Sequence, residues 1–456
     1  MVELSRKKKR LPAFLGVLFF LIVVAGIVVL IRVYEVEKPQ VSLLSESSLL
    51  GSTAEISIGI SDEKSGIQDV QVYIVQGQKR FKIHQRTNVR QSYLLTAGPK
   101  KLEENFSLDT GTLGFDDGRA DIQITARDFS FWHWMRGNET TTSYPVVLDT
   151  KVPKIWIVDS PDSMKAGSSG IVVYRVSEPI ARHGIEIDGY FHPGFSITAR
   201  GENVYGALIA VRYDAESVKK AAVHADDKAG NEGSVGFGIR LRKTEKKLDR
   251  IDVSEGFLAA KIPEFSQYYP EMEKMGGLLE QYLYVNNEVR QKNALRIQEY
   301  CQKSSPERMW EGAFKRMRRS SRRAGFAEYR SYYYDGKKID NQVHLGVDLA
   351  SVRQADVEAA NRGVVVAAEY LGIYGNMVIV DHGLGVFTLY SHMSQILAKV
   401  GDQVEKSTVL GNTGITGMAG GDHLHFSVLI NGIFVNPLEW WDKSWLDLHI
   451  LNYLSG

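Results

Sequence analysis

Cysteine is all but missing from this chain of 456 residues, where Cys301 stands alone. No intrachain disulfide can form, and no all-thiolate zinc site can be built. A charge imbalance is missing as well. The 55 Lys and Arg offset 54 Asp and Glu, for a net charge of +1. No global field therefore points to nucleic acid or to an acidic substrate. What is left is ordinary globular composition, 44% hydrophobic and 24% charged, over a length that implies several domains rather than one core.

One long apolar run is present. The basic stretch Arg6-Lys7-Lys8-Lys9-Arg10 precedes residues 11–31, which carry no charge. About twenty apolar residues cross a bilayer core as a helix. A cleaved signal peptide has a shorter apolar region, about 7–15 residues, and ends in a small-x-small site. Neither feature is present, so residues 1–34 are expected to form a cytoplasmic basic flank and an uncleaved transmembrane anchor. That places the protein in the cell (inner) membrane as a single-pass protein, with everything beyond Val33 extracytoplasmic.

The next two hundred residues read as β structure. Segments such as AEISIGI, VQVYIV, ADIQITA, GIVVYRV and ALIAVRY alternate or run apolar over strand lengths, broken by Gly, Asp, Asn and Ser. A weak repeat pairs ADIQITARDFSFW with KKAAVHADDKAGNEG, and LDTKVPKIWIVD lies between the copies. Two β-sandwich modules are expected, 38–148 and 152–242. Their Ala-x-Asp strand ends resemble bacterial immunoglobulin-like modules. After the charged hinge KTEKK, a helical linker is expected over 248–323, from apolar residues at three-four spacing that PERMWEGAFKRMRRSSRR continues. The basic cluster at its end, Lys315 to Arg323, reads as a solvated face. From 325 to 441 short strands and glycines return, as in antiparallel sheets with tight turns; 442–456 is a tail.

This last region holds an unusual concentration of imidazole. His344 and Asp348 lie in VHLGVDLA, His392 in LYSHMS, and His423 and His425 in GDHLHFSV. On a straight strand His344 and Asp348 would share a face with Cα atoms about 13 Å apart, too far for one ion about 2 Å from each donor. If they share a metal the chain must bend between them, and Gly346 is where it is expected to bend. His423 and His425 are two apart on a strand and share a face, with Leu424 turned into the core. One of them could bind a metal while the other stands over an open coordination position. Each motif alone is weak, because H-x-x-x-D occurs by chance in many proteins and a lone histidine is more often a hydrogen-bonded structural residue. The grouping is the signal, because the histidines elsewhere in the chain form no pair at ligand spacing.

The order HLGVDLA, VEAANRGVVVAAEYLGIYGNMVIVDHG, TLYSHMS, VGDQV, LGNTGITG, HLHFSVLINGIFVNP over residues 325–441 resembles the lysostaphin/LytM-type zinc metallopeptidases, which cut peptidoglycan. The resemblance implies a small antiparallel β domain with a narrow groove. It implies Zn2+ bound by His344, Asp348 and His425, with His392 and His423 as the catalytic pair. His382, in VDHG, falls where the family has no catalytic role. Two departures are Lys406-Ser407-Thr408, where a Gly-containing turn is usual, and Asp422, where proline is common before HLH. The expected protein is a membrane-anchored zinc endopeptidase, mainly β and multidomain, acting on peptidoglycan. The alternatives are a non-hydrolytic scaffold for cell-wall amidases and a zinc peptidase acting on envelope proteins. The helical linker, directly before the catalytic domain, is expected to cover the groove and regulate it.

Overall fold

A computed structural model describes residues 10–93 and 97–455. The basic run at residues 6–9 and the last residue of the expected tail lie outside the described residues. The chain divides into two compact units, residues 1–152 with 226–232, and 153–225 with 233–456.

The first unit opens with the helix Arg10–Val33. Its window Phe14–Ile31 has a mean hydropathy of 3.3 and buries nothing against the protein. It is long and apolar enough to cross a membrane. Two sheets follow. One orders Gln40–Leu43, Thr53–Ser61 and Lys101–Asp109; the other is five-stranded, with Glu139–Leu148, Gly118–Asp128 and Ile67–Gln76 at its centre. Period-two alternation puts Ile56, Ile58, Val70, Val72, Ile122 and Ile124 inward from both sheets, and all six are fully buried in one core.

The second unit is layered around an eight-stranded sheet. In order its strands are Ser321–Ala324, Val347–Ala350, Leu424–Ile430, Val386–Met393, Asn376–Asp381, Gly363–Tyr370 and Gln403–Val404, with Ile433–Val435 paired to Leu424–Ile430. Every pairing in it is antiparallel. Leu424, Phe426, Val428 and Ile430 point to one face, where they join Ile171, Val173 and Leu208 of the preceding β module together with Trp310 and Trp440. Leu429 and Leu389 point to the other face and join Leu258, Phe265, Val285 and Ile297 of the helices. The module strands Ser169–Val176 and Val204–Ala210 form a middle layer, because their alternate residues Val172, Ala207 and Ile209 build a further core on the far side.

The helical segment therefore seals one face of the sheet rather than acting as a linker. Its helices span Glu255–Ser266, Leu278–Tyr284 and Arg290–Tyr300. Residues 306–320, expected to continue the helix, do not form one. Their backbone groups are taken by other elements: Met309 N donates to His382 O, Phe314 N to Trp440 O, and Lys315 N to Ala360 O. Trp310 and Phe314 are drawn instead into the aromatic contact with Trp440. In the basic cluster that follows, Lys315 is not simply solvated, since its ammonium pairs with Glu358 at 2.7 Å.

Candidate metal centre

His344 closes the strand Lys337–His344, which belongs to a three-stranded sheet with Lys247–Asp252 and Glu328–Tyr334. Asp348 lies in Val347–Ala350 of the eight-stranded sheet. The chain changes sheets between them, at Leu345-Gly346, which is the bend that a shared ligand role requires. Glycine is needed there for a second reason. A Cβ on residue 346 would sit 2.5 Å from two ring atoms of His425 and 2.7 Å from Phe426 O. Across the sheet Asp348 is the register partner of His425.

The result is a triangle of donor atoms. His344 Nε2 lies 3.0 Å from Asp348 Oδ1 and 2.9 Å from His425 Nδ1, and His425 Nδ1 lies 2.9 Å from Asp348 Oδ1. A tetrahedral zinc site with bonds near 2.0 Å has an edge of about 3.3 Å, so the triangle is close to that size. Each imidazole is held in the tautomer that leaves the inward nitrogen bare. His344 Nδ1–H donates to Gly325 O at 2.8 Å. His425 Nε2–H donates to Ser427 Oγ at 3.1 Å, and that hydroxyl in turn donates to Leu345 O at 2.9 Å. Bare donors of the right type converge on one point, so these three residues could hold a metal ion.

His392 and His423 stand beside the triangle, with ring centroids 4.9 Å apart. His392 Nδ1–H donates to Thr416 O at 2.9 Å and His423 Nδ1–H to Gly421 O at 2.7 Å. Both Nε2 atoms are thereby left bare, and His423 Nε2 is 3.5 Å from Asp348 Oδ1. His392 holds this position at φ +64°, in the left-handed region that a β-carbon disfavours. Burial pushes the His392 imidazole well below its ordinary range and His425 down to about 4. Burial also acts on His423, but the Asp348 carboxylate outweighs it and raises the imidazole. For Asp348 burial is opposed by His344, His423 and His425, which hold the carboxyl well below the usual range.

The triangle opens into a cleft of about 480 Å3. One wall carries Asn287, Glu288, Arg290 and Gln291 of the helical segment. Arg330 Nη2 reaches Asp348 Oδ2 at 3.5 Å, on the side away from the triangle's Oδ1. The helix Glu255–Ser266 braces the loop behind His392. Glu264 Oε1 accepts from Gly417 N at 2.5 Å, and Lys261 Nζ donates to Ile415 O. None of these supporting groups was singled out from the sequence; the one signal that could have found any was the spacing of Ser427, which follows His425 by two and so faces the same way. His382 is away from the cleft, fully buried between Arg362 O and Thr388 Oγ1 at 2.7 Å each.

Two imidazoles and a carboxylate thus converge beside two further histidines on an antiparallel sheet, a set that could hold a metal ion. Residues 342–437, which contain all five groups, match Peptidase family M23. The C-terminal domain is an M23 peptidase domain. Over 98 residues the chain is 39% identical to the DD-carboxypeptidase/endopeptidase Mpg of Neisseria meningitidis serogroup B, covering 22% of this chain and 23% of that one. Over 96 residues it is 35% identical to the peptidoglycan DD-endopeptidase ShyC of Vibrio cholerae serotype O1, covering 21% and 22%. The chain thus spans less than a quarter of the length of these two relatives. Among solved structures, the catalytic domain of the antimicrobial peptidase lysostaphin from Staphylococcus simulans is 26% identical, over 27% of this chain and 92% of that one, with a TM-score of 0.23.

Proposed function

We propose that this protein is a membrane-anchored zinc endopeptidase that hydrolyses peptide cross-links of peptidoglycan. The observation that carries the reading is the donor triangle of His344, Asp348 and His425, with every imidazole tautomer fixed from outside. The relatives named as DD-endopeptidases favour the D,D cross-link as the bond cut. The helix Arg10–Val33 is read as the anchor, with its N-terminal end cytoplasmic and residues from 34 onward outside, where the wall lies. The β modules 38–148 and 152–242 carry the site outward, and the peptidase domain occupies 325–441.

His344, Asp348 and His425 would hold zinc, which when bound would supply Lewis acidity for the hydrolysis. The protein's own groups do the rest. His392, buried and neutral, accepts a hydrogen bond at Nε2 and orients the attacking water. His423, on the cleft side with a bare Nε2, takes that water's proton and returns it to the leaving amine. Arg330 steadies the far oxygen of Asp348, which keeps Oδ1 in the triangle. The wall formed by Asn287, Glu288, Arg290 and Gln291 offers polar and charged groups to a peptide lying in the cleft.

Purified full-length protein in detergent, supplied with zinc and isolated wall, tests this. Mass spectrometry should find cross-linked dimers converted to monomers by wild type and left intact by His423→Ala. A wild type that binds wall but leaves it uncut would replace this reading with the amidase scaffold. Peptides released from an envelope protein, with wall untouched, would replace it with a protein-directed peptidase.

A further inference from the structure

A second cluster of potential ligands lies in the first unit, independent of the zinc reading. Glu35, Asp62 and Asp128 are 3%, 5% and 0% exposed. One carboxylate oxygen of each lies within 4.8 Å of those of the other two. Two oxygens bound to one Ca2+ at 2.3–2.6 Å are at most about 5 Å apart, so a single ion spans the set.

Three carboxylates taken out of water at this spacing repel one another. Left unpaired they are strongly unfavourable. Most of their oxygens are fixed. Asp128 Oδ1 accepts from Asn138 N at 2.7 Å and Ser130 N at 3.0 Å, and its Oδ2 from Asn138 Nδ2 at 2.8 Å. Asp62 Oδ1 accepts from Gly66 N at 2.6 Å. Glu35 Oε1 accepts from Ser65 Oγ at 2.6 Å and Ser65 N at 3.1 Å. Glu35 Oε2 is not among them, since it is buried and has no hydrogen-bond partner among the described residues. Among the described residues no ion pair to it is formed, and the nearby Lys64 ammonium pairs with Glu37 at 2.8 Å. The site is thus strongly acidic, all oxygen, and one ligand atom short of satisfaction.

We propose that Glu35, Asp62 and Asp128 bind a divalent cation of the Ca2+ class. All-oxygen donors in a loop-built pocket suit Ca2+, whereas Mg2+ demands near-octahedral geometry at 2.0–2.1 Å. The placement gives the ion a mechanical role. Glu35 is the second residue after the helix Arg10–Val33, while Asp62 and Asp128 belong to the two sheets' turn ends. The backbone of the same segment is already held there, with Ser130 Oγ and Asn138 Nδ2 both donating to Glu35 O, at 2.8 and 3.1 Å. The ion fastens the chain to the first β module where it leaves the helix.

The test is calorimetric Ca2+ titration of the full-length protein in detergent after chelator treatment, with thermal melts in parallel. Wild type should bind Ca2+ saturably and melt higher with it. Glu35→Gln should lose one equivalent of Ca2+ and its share of the Ca2+-dependent shift. Asp62→Asn, which keeps the side-chain shape, guards against misfolding of the first variant and should lose the same equivalent. Equal Ca2+ stoichiometry in wild type and both variants overturns the proposal. So does a wild type indifferent to Ca2+ whose melting point rises on Glu35→Gln alone, since that outcome means the trio shares a proton.

Discussion

Replacing Ser427 with alanine isolates the part of the metal centre that aims a ligand without touching the metal. Ser427 is fully buried, and its hydroxyl links His425 Nε2 at 3.1 Å to Leu345 O at 2.9 Å. Its removal strands one N–H and one carbonyl in a site that water does not freely enter, at a cost of about 1–3 kcal/mol of stability. It also frees His425 to rotate or to carry its proton on Nδ1, the atom that should face the ion. Loss of such an outer partner weakens metal affinity about 10–100-fold, or about 1.4–2.7 kcal/mol. Competition for Zn2+ against a chromogenic chelator reads this directly, and melting of the metal-free protein reads the structural cost separately. A variant that melts lower but binds Zn2+ within twofold of wild type would refute the argument. It would mean that His425 is oriented by packing, for instance by Tyr374, whose ring centroid is 5.9 Å away.

Gly346→Ala should drive the His425 ring out of the triangle, because the added carbon would lie 2.5 Å from it; zinc content after dialysis should fall well below one ion per chain. His382 is held neutral, pushed down by burial to about 4 from 6.5. The unfolded chain takes up that proton near pH 6.5, so stability present above this value is lost as pH falls from about 6.5 toward 4. Between pH 7 and 5 the loss is about 2 kcal/mol, seen as a falling melting midpoint with a shallower slope in His382→Gln. An NMR titration placing His382 near 6.5 would contradict it. Ser254→Ala removes the cap that accepts from Phe257 N at 3.1 Å and should cost about 1 kcal/mol in the thermal melt. A chain cut to begin at Gly325 should aggregate rather than fold, since it leaves Leu389 and Leu429 on one face and Val428 on the other without their partners; a monomeric, folded product by size-exclusion and circular dichroism would refute this.

The strands of both β regions and the five polar groups of the centre were readable because each announces itself locally. Alternation marks AEISIGI and VQVYIV, and HLH on a strand fixes two side chains to one face whatever surrounds it. The bend at Gly346 followed from distance once His344 and Asp348 were taken to share a metal. Its crowding by His425 did not, because that residue comes from 79 positions later. Residues 306–320 were misread for a related reason. Their three-four spacing is real, but Met309, Phe314 and Lys315 find backbone partners far along the chain, and tertiary bonds override local propensity. The role of the helical segment was legible only in part. Its apolar stripe indicates that it packs, but not that it packs on the sheet face carrying His425, nor that Lys261 and Glu264 would hold the loop behind His392.

The peptidase sheet has one face closed by the preceding β module and the other by the helices, and this bears on how the activity could be set loose. Many hydrolases of dangerous substrates can be shed: one proteolytic nick in a linker liberates a working catalytic fragment. Here a cut between the β module and the helices leaves the two fragments joined through one shared core, in which Ile171, Val173 and Leu208 pack with Leu424, Phe426 and Val428. Separating them would uncover that apolar face of the sheet, while the helix that braces the loop behind His392 stays with it. On the proposed reading, hydrolysis is therefore tied to the β module staying seated on the sheet, and a cut that unseats it exposes an apolar face instead of freeing an intact catalytic fragment.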